Sequence, residues 1–328
     1  MDMILSDIIK RQTNLPHKYW DRNKNYGKLV IPVLLVLFIS CSKLDRIEPS
    51  NVETNLDADT ITFAEIGDYG YAGMPEYYVA QLVKSWNPDF IISAGDNNYD
   101  NGKLLTIKNN ITQFYGDYIY NFDAPEKYRC NGKAFEDKIN RFFPTPGNHD
   151  ANNPDNLTPY YNFFTLPGNE SYYSFRWGPV TFFSINSAKE NLDKQRIWLE
   201  AESKKASTPF KIVILHHPPY SSGDHGDNKA LQWSFQNMGI DVVIAGHEHI
   251  YNRIEKKDQS GPVYIVNGLG GRAISPCNSH PLNSSLFSSI CYSGEYGAIR
   301  GKANQKELTL EFLTTKNPNP VDVVTLKK

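Results

Sequence analysis

Short runs of β-branched and aromatic residues recur along the chain from residue 60 onward, and several of them end in glycine or a polar cluster. Runs of this length, bounded by turn residues, are typical of β-strands. The sequence predicts eight strands: ITFAEIG (61–67), FIISAG (90–95), FFPTPG (142–147), VTFFSIN (180–186), KIVILH (211–216), DVVIAG (241–246), VYIVNG (263–268) and LTLEFLTT (308–315).

Longer stretches between some of these runs have the character of helices. We predict helices over 75–86, 104–120, 192–205 and 228–238. In the third of them, Ile197, Leu199 and Ala201 stand among charged residues, as in a helix that packs one side on a core. Strands that alternate with helices indicate an α/β fold with layered sheets.

The stretch 269–296 has a different composition, rich in Gly, Ser, Pro and Asn, and is predicted to form a long loop. It contains Cys277 and Cys291, which could form a disulfide in an exported protein, whereas two buried thiols are the alternative. The other two cysteines are Cys41 and Cys130. Four cysteines without a CxxC pair exclude a disulfide framework and a zinc ribbon.

The apolar segment 29–39 (LVIPVLLVLFI) differs from the strand-like runs because basic residues precede it and Ser40-Cys41 follows it. As a helix it would rise only about 16 Å, roughly half of a bilayer core. It therefore fits the apolar region of a signal peptide better than a transmembrane span. Because Ser40-Cys41 resembles a bacterial lipobox, we predict an exported lipoprotein, anchored to the membrane through Cys41 in the periplasm or at the cell surface. An ordinary secretory signal and a buried core segment are the alternatives.

These boundaries give the predicted organisation of the chain. Residues 1–40 form a signal peptide of lipoprotein type, residues 41–58 a polar tether, and residues 59–328 one folded domain. The formal net charge of the 328-residue chain is −2, and 13% of its residues are aromatic. The aromatic content suffices for a core, and the balanced charge argues against a general nucleic-acid binder.

Polar residues follow five of the predicted strands directly. Because ligands in open α/β sheets lie outside the carboxyl ends of the strands, these side chains should converge on one surface. Seven of them carry oxygen or imidazole donors: Asp68, Asp96, Tyr99, Asn148, His216, His247 and His249. Taken singly, most of them are explained as turn residues. His247 and His249 are a stronger signal, because residues i and i+2 of an extended chain point to the same side.

The seven donors together indicate a metal site. Oxygen and imidazole ligands without thiolate suit Fe, Mn or Zn. Seven exceeds the four ligands of a closed tetrahedral site. If one carboxylate bridges, the set serves two ions, as in two-metal hydrolytic sites.

Five ordered motifs, GDYG, GDNNY, GNHD, VILH and GHEH, resemble the signature of the metallophosphoesterase (calcineurin-like) superfamily in its purple acid phosphatase form. The Tyr in GDNNY separates this branch from the broader calcineurin-like family. The short catalytic region, with the triplet Asp224-His225-Gly226 after VILH, resembles the small tartrate-resistant acid phosphatases. The resemblance covers residue 60 to about residue 315. It implies a double β-sheet sandwich flanked by helices, with a single catalytic domain.

The resemblance also implies how the ligands are shared. It assigns Asp68, Tyr99 and His249 to a first ion, Asp96 to a bridge, and Asn148, His216 and His247 to a second ion. The first ion would be Fe(III), which is strong enough as a Lewis acid to keep a tyrosine deprotonated at acid pH. The second would be Fe, Zn or Mn.

The implied reaction is hydrolysis of a small phosphorylated substrate, a phosphomonoester, by a metal-bound hydroxide. His149 and His225 match family histidines that bind substrate or protonate the leaving group. Asp150 would orient His149 or a ligand. His217 could pack or contact the substrate. Asn97 and Asn98 could touch phosphate or serve as turn residues.

Two other functions stay open at this point. Phosphodiesters or nucleotides could be the substrates of the same site, since the fold serves both. The second alternative is a non-catalytic surface-binding lipoprotein. The presence of all seven ligand matches weighs against it.

Overall fold

The computed structural model of the protein describes residues 58–188, 191–258 and 260–328. In this part of the chain thirteen strands form two sheets. In chain order the strands are β1 (Thr60–Ile66), β2 (Phe90–Ser93), β3 (Phe142–Pro144), β4 (Tyr173–Trp177), β5 (Val180–Ile185), β6 (Phe210–Leu215), β7 (Val242–Ala245), β8 (Tyr251–Lys256), β9 (Val263–Asn267), β10 (Leu286–Tyr292), β11 (Gly297–Asn304), β12 (Glu307–Thr314) and β13 (Asp322–Lys327).

The first sheet has the order β13-β12-β11-β1-β2-β3, and the second has the order β10-β8-β9-β7-β6-β5-β4. The centre of each sheet is parallel: β1, β2 and β3 in the first, and β5, β6, β7 and β9 in the second. The outer strands are antiparallel. The carboxyl ends of the parallel strands therefore lie together at one edge of each sheet, where the predicted ligands follow them.

The two sheets face each other across a core of aromatic rings. Phe63 of β1 and Phe90 of β2 meet Phe182 of β5 edge-on, at ring-centroid distances of 5.2 and 5.3 Å. The next residue of β5, Phe183, points to the opposite face and packs with Leu199 in a second buried cluster. This alternation explains why the runs are apolar throughout, since the central strands are covered on both faces. The predicted α/β double-sheet sandwich in a single domain is confirmed.

The helices are mostly short: α1 (Met74–Ser85), α2 (Gln113–Tyr115), α3 (Lys133–Asp137), α4 (Asn148–Ala151), α5 (Thr158–Phe163) and α6 (Leu192–Lys205). The predictions over 75–86 and 192–205 are confirmed by α1 and α6. In α6, the side chain of Asn191 accepts a hydrogen bond from the backbone N–H of Lys194 and caps the first turn.

Of the other two helix predictions, the one over 104–120 is confirmed in its extent but not as a regular α-helix, and the one over 228–238 is wrong. Residues 104–118 form an unbroken helical stretch of 3₁₀, π and α turns. The side chain of Asn110 donates to the backbone carbonyl of Tyr99 and is thereby committed to the loop after β2. Residues 228–238 form two separate 3₁₀ turns, the second of which ends at Gly239 in the left-handed conformation. Asn, Thr and Gly in the first stretch, and Asn and Ser in the second, lower helix propensity.

All eight predicted strands are present, and each ends one to three residues before its predicted end. The loop predicted over 269–296 is wrong in its second half, because β10 pairs with β8 there. Cys291 lies in β10 and forms a disulfide with Cys277. Among the described cysteines, Cys130 is the one outside this disulfide, and it is buried.

The predicted signal peptide, and all of the predicted tether except residue 58, lie outside the described residues, and so does Cys41. Within the described ranges, no helix combines the length and the apolar character needed to cross a membrane.

Candidate metal centre

Three of the predicted ligands occupy strained backbone directly beyond parallel strands. Asp68 follows β1 with φ 55°, Asp96 follows β2 with φ 51°, and His247 follows β7 with φ 71°. Left-handed φ is uncommon for residues other than glycine and is found mostly where the surrounding structure enforces it. Three of the nine non-glycine residues with positive φ in the described part of the chain thus lie at the edge where the predicted ligands meet.

Glycines precede these ligands because the chains pass too close for a Cβ. A Cβ on Gly147 would lie 2.1 Å from Asp96 Oδ1, and one on Gly246 would lie 2.6 Å from Asp68 Oδ2. The Gly in the GN and GH motifs therefore has a steric reason. It lets the loops after β3 and β7 approach the carboxylates.

The first group of ligands surrounds the phenol of Tyr99. Its hydroxyl lies 3.0 Å from Asp68 Oδ1, 2.8 Å from Asp96 Oδ2 and 3.4 Å from His249 Nε2. His249 Nε2 is in turn 3.5 Å from Asp68 Oδ1. The residues that sequence analysis assigned to a first ion thus converge with the assigned bridge.

The second group surrounds the imidazole of His216. Its Nδ1 donates to the Ala94 carbonyl at 2.9 Å, which leaves Nε2 as the free donor atom for a metal. Nε2 lies 2.9 Å from Asn148 Oδ1 and 3.4 Å from Asp96 Oδ1. The ring of His247 lies 5.0 Å from the ring of His216. Asp96 therefore contacts both groups, one through each carboxylate oxygen.

The electrostatics of the two carboxylates differ. Burial raises the pKa of Asp96 well above its usual value, and the charge of Asp68 raises it further. Burial also acts to raise the pKa of Asp68, but the hydrogen bond from His249 and the surrounding histidines hold it below its usual value. Burial and both carboxylates raise the pKa of Tyr99. Burial and the neighbouring His216 lower the pKa of His247 to about 2.

This donor set fits metal ions. Burial lowers the pKa of His216 and His247 and so favours the neutral imidazole that metal ligation requires. Burial also acts to lower the pKa of His249, but its hydrogen bond with Asp68 and the charge of that carboxylate together raise it. The contacts of Asp68 and Asp96 within the described part of the chain come from a phenol, imidazoles and backbone N–H groups. Two buried carboxylates without a fixed cationic partner are unfavourable unless a cation is bound. Carboxylate, amide and imidazole donors match the preference of Fe, Mn and Zn.

The two histidines predicted to act on substrate lie on opposite sides of the ligands. The ring of His149 is 4.4 Å from the ring of Tyr99, and its Nδ1 lies 2.6 Å from the Asp100 carbonyl. The ring of His225 is 4.3 Å from the ring of His247. A cleft of about 430 Å³ opens on this second side and is lined by three histidines and by the turn over 226–230.

Three polar residues near the predicted ligands form hydrogen bonds within the surrounding loops and do not face the open site. Asp150 Oδ2 accepts from the backbone N–H groups of Gly147 and Asn97, and so fixes the residue before Asn148 rather than His149. The side chains of Asn97 and Asn98 bond to groups inside the protein. These contacts favour a role in the turn over contact with phosphate for both residues.

Two further residues at the site were not singled out from the sequence. The guanidinium of Arg272 lies 4.0 Å from the ring of Tyr71 and 5.2 Å from that of Tyr99. Glu248 is fully buried and accepts from the backbone N–H of His225 at 2.9 Å. Arg272 follows β9, so the strand-end rule that found the ligands could have found it too. Glu248 lies inside the GHEH motif.

The chain is similar in sequence to known phosphoesterases. The family model described as calcineurin-like phosphoesterase matches residues 58–251. Purple acid phosphatase 17 of Arabidopsis thaliana is 25% identical over 302 residues, which cover 76% of this chain and 82% of that protein. Acid phosphatase type 7 of Mus musculus is 26% identical over 288 residues, which cover 74% of this chain and 60% of the mouse protein.

Solved structures show the same fold. A purple acid phosphatase from yellow lupin (Lupinus luteus) seeds has a TM-score of 0.62 at 17% identity, covering 85% of this chain and 55% of the lupin chain. GAP50, described as the anchor in the inner membrane complex of Plasmodium, has a TM-score of 0.61 at 21% identity, covering 82% and 89% of the two chains. At these identities the likeness extends to the fold alone.

Proposed function

The chain belongs to the calcineurin-like phosphoesterase family, on its purple acid phosphatase-like side, and is therefore a hydrolase; from this premise we propose that it hydrolyses phosphomonoesters with two metal ions. The observation that carries the proposal is the position of Asp96. One oxygen of its carboxylate lies 2.8 Å from the hydroxyl of Tyr99, and the other lies 3.4 Å from Nε2 of His216. A carboxylate shared in this way between two sets of donors suits a pair of ions better than one.

The proposal assigns the side chains to two sites. Asp68, Tyr99 and His249 would hold one ion, Asn148, His216 and His247 the other, and Asp96 both. When bound, the ions would supply positive charge to the phosphoryl oxygens and would lower the pKa of water for attack on phosphorus. Tyr99 favours Fe(III) in its site, because its phenol, whose pKa is raised by burial, ionises only beside a strong Lewis acid.

The chain's own residues then bind the ester and handle its proton. His149 and His225 flank the ligands, where one imidazole can bind a phosphoryl oxygen and the other can protonate the departing alcohol. Nδ1 of His149 faces the Asp100 carbonyl, so Nε2 is the atom turned to the site. The backbone N–H of His225 is held by buried Glu248, which fixes that loop beside His247.

Metal analysis and a substrate panel on one purified sample test this function. We expect about two ions per chain, and faster hydrolysis of p-nitrophenyl phosphate than of bis(p-nitrophenyl) phosphate or nucleotide diesters. Full activity with less than one ion per chain would contradict the dinuclear site. A preference for diesters would reassign the substrate class while leaving the metal site intact.

Colour tests the assignment of iron to the first site. The wild-type protein should show a visible absorption band, and Tyr99→Phe should lose it while keeping its circular dichroism spectrum. An iron-loaded wild type without a visible band would refute a tyrosinate on Fe(III).

We further propose that the enzyme is exported and anchored through a lipid on Cys41. The disulfide between Cys277 and Cys291 supports an oxidising compartment. Cys41→Ser should move the protein from the membrane fraction to the soluble fraction of cells. Retention in the membrane fraction would mean that another anchor holds it.

A further inference from the structure

His217 lies directly after the ligand His216 and lines the cleft beside it. Its ring is 4.9 Å from the ring of His216 and 4.5 Å from that of His247. One ring nitrogen from each of the three histidines lies within 4.8 Å of the others. His217 is thus within the reach of whatever binds beside the second group of ligands, yet it has no part in the ligand assignment.

Ser187 fixes the orientation of this ring. It follows β5 by two residues, and its Oγ accepts a hydrogen bond from the backbone N–H of His217 at 2.9 Å. The same Oγ lies 2.9 Å from Nδ1 of the His217 ring. With its oxygen already accepting from the backbone, the hydroxyl can donate its hydrogen to Nδ1, and a neutral imidazole then carries its proton on Nε2.

A protonated Nε2 has no lone pair for a metal but is a hydrogen-bond donor. Donors that are fixed in advance beside a centre of developing negative charge bind and stabilise oxyanions. In a phosphatase the group that brings such oxygens to this position is the phosphoryl group of the substrate or the phosphate product. The cleft leaves room for the rest of the ester next to the same ring.

We propose that His217 is a third substrate-binding histidine, which donates from Nε2 to a phosphoryl oxygen, and that Ser187 is the positioning residue that sets its tautomer. The inference rests on the proposed phosphatase function and adds to it a residue that binds the transferred group.

Two substitutions distinguish the effect of the hydrogen-bond donor of His217 from the effect of its side-chain volume. His217→Leu keeps most of the volume but removes the donor, whereas His217→Gln places an amide N–H near the position of Nε2. Binding of inorganic phosphate to the metal-loaded protein is measured by calorimetry, together with kcat/KM on p-nitrophenyl phosphate and the metal content. We expect His217→Leu to weaken both phosphate binding and kcat/KM by about ten- to a hundredfold, as for a lost hydrogen bond to a charged group, and His217→Gln to stay within about threefold.

Nitrogen-15 NMR of the histidine rings reads the tautomer without any activity. The wild type should show His217 protonated on Nε2, and Ser187→Ala should shift the ring toward a mixture of tautomers and weaken phosphate binding by about three- to tenfold.

Several results would overturn the proposal. Loss of one metal ion from His217→Leu would make His217 a ligand instead. Equal impairment of the Leu and Gln variants with metal intact would reduce its role to packing, and binding within twofold of wild type in both would remove any role. If the metal-loaded wild type neither hydrolyses p-nitrophenyl phosphate nor binds phosphate, the proposed function fails and this inference fails with it. If only the substitutions have no effect, the phosphatase function stands.

Discussion

Buried carboxylates occur in two contrasting places in this protein. Asp322, at the start of β13 in the first sheet, is 9% exposed. Its two oxygens accept from Arg253 of β8 in the second sheet, from Nε at 2.9 Å and from a terminal nitrogen at 3.1 Å, and the hydroxyl of Tyr251 adds a third bond. A guanidinium that binds both carboxylate oxygens compensates the charge within the protein.

Asp68 and Asp96 are buried to a similar or greater degree, at 0% and 2% exposed. Their partners are a phenol, imidazoles and backbone N–H groups. The two carboxyls respond in opposite directions, with the pKa of Asp96 raised by burial and that of Asp68 lowered by its histidines. The difference distinguishes a structural ion pair from a site built for a cation that the chain does not itself provide.

The largest expected effect comes from removing the shared carboxylate. Asp96→Asn should lower kcat/KM by about 10³-fold or more, because each ion loses a charged ligand. The metal-free variant should unfold at the same temperature as the metal-free wild type or higher, since one of two buried like charges is gone. Metal analysis, steady-state kinetics and thermal unfolding in chelator measure these outcomes. A variant that keeps two ions and near-normal activity would contradict the bridging role.

The same Asp-to-Asn substitution at Asp322 should leave catalytic activity unchanged and reduce the stability of the fold. Asp322→Asn should reduce the free energy of unfolding by about 2 kcal/mol, less than the 3–5 kcal/mol of a fully buried pair. The reduction is smaller because Arg253 keeps 22% side-chain exposure and a second partner in Glu255, at 2.7 Å. Urea unfolding measures the loss, and the metal content should not change.

A double variant gives the control for that loss. Replacing both partners, Arg253→Met with Asp322→Leu, removes the two charges together and should recover most of the lost stability. If Asp322→Asn instead lost metal or activity at low temperature, the distinction between the two kinds of carboxylate would not hold.

The sequence predicted that the strand-end donors converge, and the structure brings them together, because a local rule governs their placement. Each predicted ligand follows a parallel strand within a few residues, and glycines such as Gly147 and Gly246 mark the close approaches. The strand β10, in contrast, reads LFSSICY and lacks an alternating apolar pattern, so the sequence indicated a loop. It is a strand because it pairs with β8, which is a tertiary interaction.

The ion pair between Arg253 and Asp322 could not be predicted for a related reason. The partners are 69 residues apart and lie on different sheets. Neither residue stands in a motif, and β8 and β13 were not predicted as strands. Ligand sets that are defined by motif and strand context can be read from a sequence, whereas contacts that depend on how two sheets meet cannot.

Glu65 of β1 offers a third kind of buried carboxyl. It has no cationic partner within the described part of the chain, and it is not one of the predicted ligands. It is fully buried and accepts from the side-chain amide of Asn267 in β9 at 2.8 Å, which joins the two sheets. Burial raises its pKa well above the usual value, against the smaller opposing effect of the Asn267 hydrogen bond. The folded protein therefore binds this proton more tightly than the unfolded chain does.

Glu65→Gln should have the smallest effect, because a neutral amide of the same shape replaces a carboxyl that is held neutral. At pH 5 the free energy of unfolding should change by less than about 1 kcal/mol. A raised folded pKa gives stability that is present at low pH and is lost as pH rises through that pKa, so wild-type stability should decline with rising pH while the Gln variant declines less. Urea unfolding of both proteins without metal, from pH 5 to pH 8, measures the two slopes. Equal slopes would mean that Glu65 is ionised in the folded protein, and its charge would then belong with those of Asp68 and Asp96 as one more that bound metal must balance.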